Sequence, residues 1–235
     1  MTREGLAEAI RLAHRALELE PRFSFVAALA SISHTLNVLW GFTSDPQFEH
    51  DEAVRLARLA LSADDSDPET LAIAAVTLAF MVGNPESEVE IADRAVTLNP
   101  NSFQAWHCRG WVYRVAGLPE EAIRSFERAI RMSPVDPQLH QLFAGMAAAL
   151  VEVDRFDEAI LTAKKSIRLN PSYPTVYLCL ASAFAHLERD AEARQAAARM
   201  LEIDPTFTIS SWLARGAFSK WKRLIEGLRK AGLPE

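Results

Sequence analysis

Prolines recur along the chain at intervals close to 34 residues and divide it into similar segments. Pro100, Pro134, Pro171 and Pro205 are separated by 34, 37 and 34 residues, and the 79 residues from Pro21 to Pro100 leave room for two more segments and an insertion of 11. Proline cannot continue a helix interior but fits the first turn of the next helix. A period of this length favours an array of repeated helical units, which grows by addition.

The most regular segment runs from Phe103 to Pro134 and contains two apolar stripes at helical spacing. These stripes are Trp106, Gly110 and Tyr113, followed by Ala122, Phe126 and Ala129. The segment resembles one tetratricopeptide repeat, the 34-residue helix–turn–helix unit with a Trp, Gly, Tyr, Ala, Phe and Pro skeleton. The resemblance implies an all-α fold, a right-handed superhelical solenoid of antiparallel helix pairs ending in a C-terminal capping helix. It also implies a non-enzymatic module that binds other proteins.

Small residues recur where paired helices would cross closely. The first-helix positions are Ser31, Ala75, Gly110, Ala147 and Ala181. The second-helix positions include Ala9, Ala53, Ala122, Ala159 and Ala193, and a further series Ala16, Ala60, Ala95 and Ala129 continued by Ser166 and Met200. Small side chains let two helix axes approach while larger neighbours interlock. Because a helix of about 14 residues is marginal alone in water, each unit is expected to depend on its neighbours.

The pattern predicts an array over residues 1–205 and capping helices over 206–235. We expect a half repeat at 1–23 and full repeats at about 24–67, 68–102, 103–136, 137–173 and 174–205. The helices are predicted near 5–20, 24–38, 50–63, 68–82, 86–98, 103–116, 119–131, 139–152, 156–168, 174–187, 190–202, 207–215 and 218–231.

An apolar insertion, Leu39 to His50, interrupts the period after the second predicted helix. Its aromatic side chains are Trp40, Phe42 and Phe48. Aromatic residues are too apolar for a purely solvated loop, so they either fold back on their own helices or form a contact patch for a partner.

No arrangement of residues in the chain predicts chemistry. The sequence has no glycine-rich phosphate loop, HExxH motif or GxSxG elbow, so no enzyme activity and no cofactor is expected. His50 stands beside Asp51 and Glu52, but adjacent helical residues point in different directions, and no metal site is predicted. A net charge of −6 disfavours nucleic acid, and no apolar run is long enough for a membrane span.

The two cysteines are far apart and lie within helical patterns. Cys108 and Cys179 lack metal-ligand spacing, which favours buried, reduced thiols in a cytoplasmic protein.

The candidate binding residues lie on the first helix of each repeat, on the side left over after the packing stripe is assigned. They are Phe80, Gln104, His107, Trp111, Arg114, Gln141, Ser182 and His186. Trp111 is expected either to anchor a ligand or to fill the groove between adjacent first helices. Tetratricopeptide proteins that bind an acidic chaperone tail use lysines, arginine and asparagines on this surface. That clamp is absent here, which favours another peptide or partner segment.

The C-terminal segment is basic and amphipathic. Phe218, Trp221, Leu224, Ile225 and Leu228 form an apolar stripe among six lysines and arginines. This stripe predicts a helix that covers the last repeat, the alternative being a helix that binds a membrane surface or an acidic partner.

A narrower resemblance rests on three segments, the WGFTSDP insertion, the block from Asn99 to Pro137 and the ending EGLRKAGLPE. They resemble the C-terminal repeat regions of bacterial class III adenylate or guanylate cyclases and of some winged-helix regulators. The resemblance implies a scaffolding part of a bacterial signalling protein, with the active domain outside this chain. The predicted N-terminal helix has no partner of its own, so its residues Leu6, Ile10, Leu12 and Leu17 form an exposed edge that a second copy could cover.

Overall fold

Thirteen α-helices make up the described part of the chain, residues 2–235, in a computed structural model. In order they are α1 Arg3–Leu19, α2 Ser24–Leu39, α3 Pro46–Ala63, α4 Pro68–Met81, α5 Pro85–Leu98, α6 Phe103–Val115, α7 Pro119–Met132, α8 Leu139–Glu152, α9 Phe156–Leu169, α10 Pro174–His186, α11 Asp190–Ile203, α12 Ile209–Leu213 and α13 Lys222–Lys230. The predicted all-α architecture of antiparallel helix pairs is confirmed.

Most helix ends lie where the sequence places them, and two starts differ. The period-marking prolines Pro21, Pro100, Pro134, Pro171 and Pro205 all fall in turns that follow second helices. However, α3 begins at Pro46 rather than near residue 50, and α13 begins at Lys222 rather than near 218. Half of the insertion after α2, Leu39 and residues 46–50, is therefore helical.

The helices form two compact units. The first contains the chain up to Ala116 together with Arg215–Ala217, and the second contains Gly117–Ala214 and Phe218–Glu235. In the first unit α2 pairs with α3 and α4 with α5, and the first helices α2, α4 and α6 contact one another in succession. In the second unit α8 pairs with α9 and α10 with α11, and α8 contacts α10.

Small residues fill the helix crossings, as predicted. Ser31, Ala75, Ala147 and Ala181 have no exposed surface, and the Ser31 hydroxyl lies 3.0 Å from the Thr77 hydroxyl across the α2–α4 contact. The corresponding residues of α1 differ, because Ala9 is exposed and Ala16 is half-buried. This difference follows from the packing of α1, which contacts mainly α2.

An ion pair replaces part of the apolar contact between α5 and α6. Arg109 occupies a position where the repeat usually has leucine, and its Nε donates to Asp93 at 2.7 Å. The Tyr113 hydroxyl donates to the same carboxylate at 2.7 Å, and the Arg109 guanidinium lies over the Tyr113 ring, 4.0 Å from its centroid. The aliphatic part of the Arg109 side chain can therefore pack between the helices while its guanidinium group forms the hydrogen bond.

The C-terminal helix packs along the first helices of the second unit. Leu224 and Leu228 of α13 are buried, and α13 contacts α10 and α8. Phe218 and Trp221 extend this apolar surface, with Phe218 stacked on Trp212 at a centroid distance of 4.7 Å. The predicted capping helix is confirmed. Because its apolar stripe is buried within the chain, the alternative of a membrane-bound stripe loses its support.

A carboxylate from α8 caps the start of α13. Glu152 accepts hydrogen bonds from the backbone N–H groups of Arg223 at 3.2 Å and Leu224 at 2.9 Å. The Arg223 side chain donates from Nε to Asp154 at 2.9 Å, just beyond the end of α8. Trp221, the residue before the helix, offers no side-chain cap. Two acidic groups at the end of α8 therefore hold the N-terminus of α13, where the helix dipole favours negative charge.

We expect Glu152→Ala to loosen α13 by about 1–3 kcal/mol, since it leaves two N-terminal N–H groups without a charged acceptor. Hydrogen exchange of the 222–230 amides measures this effect. Glu152→Gln keeps an acceptor oxygen and should cost less. Equal exchange rates in wild type and Glu152→Ala would show that the cap contributes nothing.

Candidate functional site

The candidate residues on α6 form a packed row along one side of the helix. Trp111 is half-buried, and its indole N–H donates to His107 Nε2 at 3.0 Å. Its ring lies 6.0 Å from the ring of Phe80 on α4 and 5.4 Å from the Arg114 guanidinium carbon. Trp111 thus lies against the adjacent first helix and keeps part of its ring exposed.

Two of the predicted residues on α6 are buried. Arg114 is only 2% exposed and His107 only 5%. Gln104, the second residue of the helix, is half-buried, and its amide donates to the Cys108 sulfur at 3.2 Å. Burial raises the pKa of the Cys108 thiol to about 12, so it stays protonated near neutral pH. Gln104 and Trp111 are the α6 candidates that reach the surface.

A short C-terminal segment, residues 215–217, crosses the ends of α2 and α4 in the first unit. The Ala217 N–H donates to the Phe80 carbonyl at 3.1 Å. A Cβ placed on Gly41, just beyond α2, would be 3.0 Å from the Arg215 guanidinium carbon. Phe80 is 6% exposed. The segment therefore contacts the C-terminal ends of these first helices, whereas Gln104 lies at the N-terminal end of α6.

In the second unit too, C-terminal residues contact the first helices, and here the contact is made by α13. Ser182 is fully buried, and its hydroxyl lies 3.4 Å from the Arg223 carbonyl. His186 Nε2 lies 2.8 Å from the same carbonyl, and its ring stacks on Phe156 at 4.7 Å. A partner could reach Ser182 only by displacing α13, whereas His186 is half-buried. Gln141, in the first turn of α8, is half-buried.

The aromatic residues of the insertion divide into two groups. Trp40 and Phe42 are half-buried and meet edge to face at 5.6 Å. Phe48 lies on α3 and is 57% exposed, with its ring 6.3 Å from His34. Phe48 is the part of this predicted patch that could meet a partner.

Sequence reasoning missed the role of the chain's own C-terminal segment at these surfaces. The small residue Gly227 in the middle of α13 was the available signal. It lies directly against Ser182, whose Cα would be 2.6 Å from an added Cβ. Glycine lowers the stability of a helix interior. Its presence in the middle of a helix is therefore a signal that another element packs closely there.

Repeat-family models match two parts of the chain. The tetratricopeptide repeat models cover residues 103–134 and 145–206, which include α6, α7 and most of the helices from α8 to α11. These segments are tetratricopeptide repeats. A model of the protein prenyltransferase alpha subunit repeat also matches residues 85–115.

Curated relatives share parts of the repeat region. The chain is 36% identical over 85 residues to the protein STIP1 homolog of Dictyostelium discoideum, which is 36% of this chain and 14% of that protein. It is 33% identical over 91 residues to an Hsp70-Hsp90 organizing protein of Triticum aestivum, or 39% of this chain and 15% of that protein. The chain thus spans about a seventh of the length of these relatives.

Solved structures share the fold at low sequence identity. A chain of the APC/C hetero-tetramer Cut9-Hcn1 matches 93% of this chain with a TM-score of 0.69 and 16% identity, over 39% of its own length. Pseudomonas aeruginosa pilF matches 87% of each chain with a TM-score of 0.59 and 20% identity. The tetratricopeptide solenoid predicted from the sequence is confirmed as the fold class. Within residues 2–235, no helix has the length and hydrophobicity that crossing a bilayer requires.

Proposed function

We propose that this protein is a non-enzymatic scaffold that binds a peptide or partner segment on the first-helix surface of the first unit. The observation that carries the proposal is the half-exposed pair Gln104 and Trp111 on α6. The repeat architecture and the relatives named STIP1 homolog and Hsp70-Hsp90 organizing protein support a protein-binding role. Half-buried tryptophans beside polar groups are favoured anchors for such contacts.

The chemistry of this surface favours a mixed apolar and polar ligand over an acidic tail. Arg114 is the cation among these α6 candidates, and it is buried beside Trp111 rather than presented to solvent. An acidic peptide end requires accessible positive charge to offset its desolvation. An extended or helical segment with an apolar side chain against Trp111 and a backbone bond to Gln104 fits better.

Selection from a phage-displayed library of random linear peptides tests this proposal. We expect the selected peptides to bind wild type and to lose at least about tenfold in affinity, roughly 1.4 kcal/mol, with Gln104→Arg. Thr97→Arg introduces the same side chain on the exposed second helix of the same unit and is the matched control. Fluorescence anisotropy with each labelled peptide measures both.

The proposal is wrong if no peptide is selected, or if Gln104→Arg and Trp111→Ala bind the selected peptides as well as wild type does. Arg114→Ala is a poor probe, because the arginine is buried and its removal would disturb folding as well as binding.

A second candidate function, assembly through the N-terminal half repeat, is favoured by exposed leucines on α1. Leu12 and Leu19 are 52% and 73% exposed, and a spacing of seven places them on one helix face. A second copy that covers this face would produce a homodimer. Sedimentation over a range of concentrations tests it, and a strict monomer at the highest concentration would exclude assembly.

The wider context of this module stays a proposal. The resemblance of its insertion and ending to the C-terminal regions of bacterial cyclases and winged-helix regulators supports a role in a bacterial signalling protein. The relatives compared above are named STIP1 homolog and Hsp70-Hsp90 organizing protein, and not cyclase or regulator. Two buried free cysteines, Cys108 and Cys179, support a reducing compartment such as the cytoplasm. The gene sequence upstream of Met1 would test whether a catalytic or DNA-binding domain precedes the array.

A further inference from the structure

Three helices of the first unit bring two imidazoles and a carboxylate to one point. His14 on α1, His34 on α2 and Glu52 on α3 each offer one ligand atom, and these atoms all lie within 4.8 Å of one another. His14 Nε2 is 3.0 Å from His34 Nε2 and 3.9 Å from Glu52 Oε1. We propose that His14, His34 and Glu52 bind a zinc ion, a role that the sequence alone did not indicate.

The distances suit a tetrahedral ion. Zinc bonds to nitrogen and oxygen of about 2.0–2.2 Å at tetrahedral angles place neighbouring ligand atoms roughly 3.3 Å apart. The observed separations bracket that value. A small opening of the His14–His34 pair and an inward rotation of Glu52 would complete three ligands. Two histidines and a glutamate suit zinc far better than magnesium or calcium, which prefer oxygen ligands throughout.

A second carboxylate orients the buried ligand. His34 is 2% exposed, and its Nδ1 lies 2.5 Å from Glu49 Oε2. Glu49 in turn accepts a hydrogen bond from the Asn37 amide at 2.9 Å. A carboxylate oxygen accepts a hydrogen bond from Nδ1–H, and in that tautomer the lone pair of His34 lies on Nε2, facing His14. Histidine ligands of metals are oriented by carboxylates in this way.

The other two proposed ligands, His14 and Glu52, are partly exposed, and their side chains have room to rotate toward an ion. His14 has a side chain 38% exposed, so an ion can enter beside it, and Glu52 is 16% exposed. The Arg55 guanidinium donates to Glu52 at 2.7 Å. Arg55 is 58% exposed and can swing away when the carboxylate turns toward the ion. Water would take the fourth position.

The ion would attach α1 to the rest of the unit. Leu6 is the buried side chain of α1, and His14 lies two turns further along the same helix. A bond from His14 to an ion held by α2 and α3 would fix the C-terminal half of α1. The zinc site is therefore structural in effect, and it is independent of the peptide surface on α6.

Zinc titration of untagged, chelator-stripped protein against a chromophoric competitor tests the site. We expect one equivalent to bind, with affinity at least about tenfold weaker in His14→Gln and in Glu52→Gln. Glu49→Gln keeps an acceptor for His34 Nδ1 but loses the charge, and should weaken binding by about 10–100-fold. His140→Gln, in the second unit, removes one histidine elsewhere and should leave binding unchanged.

Two structural readouts accompany the titration. Cobalt(II) should give the intense visible absorption of a four-coordinate ion in wild type and not in His14→Gln. Zinc should slow amide exchange across α1 in wild type alone. Absence of binding to wild type, or equal binding by wild type and His14→Gln, would overturn the proposal and leave the cluster as a hydrogen-bonded pair of histidines.

Discussion

Gly227→Val should displace α13 from the first helices of the second unit. The glycine lies so close to α10 that an added Cβ would be 2.6 Å from Ser182 Cα and 2.7 Å from its Cβ. The first of these atoms is backbone and cannot rotate away. Overpacking at such a contact typically costs 1–3 kcal/mol, and about 3 kcal/mol is expected for a branched side chain against a helix backbone. The 222–230 amides should lose hydrogen-exchange protection.

The effect has two matched controls. Arg229→Ala alters an exposed position of the same helix and should change stability by less than about 0.5 kcal/mol. Ser182→Gly in the Gly227→Val background removes the clashing side chain but not the Cα, so it should restore only part of the protection. Unchanged exchange in Gly227→Val would mean that the contact with α10 accommodates the valine without displacing α13.

The array was predictable because its determinants are local. Each period ends at a proline that cannot continue a helix, and small residues such as Ala75 and Ala147 recur where helices cross. These two signals place the helix pairs with errors of a few residues. The placement of Trp111 beside α4 was also predictable from helical spacing, since a residue outside the packing stripe faces the neighbouring first helix.

The start of α3 was predicted four residues too late, and the difference affects the histidine cluster. The third helix was expected to begin near residue 50, yet α3 starts at Pro46 because Asp45 accepts the Phe48 N–H at 3.1 Å. Asp67 and Pro68 start α4 in the same way, with Asp67 accepting the Thr70 N–H at 2.8 Å. The additional first turn of α3 contains Glu49 and places its carboxylate beside His34, which it orients within the histidine cluster.

The remaining features depend on contacts between distant parts of the chain. His14, His34 and Glu52 come from three helices, and their convergence follows from packing rather than from any motif. The position of residues 215–217 against Phe80 likewise has no local signature. Such tertiary contacts depend on which apolar faces pack against each other. Sequence periodicity shows which face of each helix is apolar, but it does not show which two faces meet.

Leu6→Ala should detach α1. Leu6 is 1% exposed and is the residue through which this helix is buried. Removing a buried leucine side chain typically costs 2–5 kcal/mol, and that cost should fall on α1 because its other contacts are half-exposed. We expect the amides of residues 3–19 to lose protection while those of α4–α6 keep theirs, as in local unfolding.

Leu12→Ala is the matched control, since it makes the same substitution in the same helix at a side chain that is 52% exposed. Both changes raise intrinsic helix propensity equally, so only the loss of burial separates them. Because α1 carries His14, Leu6→Ala should also weaken zinc binding, whereas Leu12→Ala should not. If the two variants exchange α1 amides at the same rate, the helix is held by something other than Leu6, and the half repeat is anchored through its partly buried residues instead.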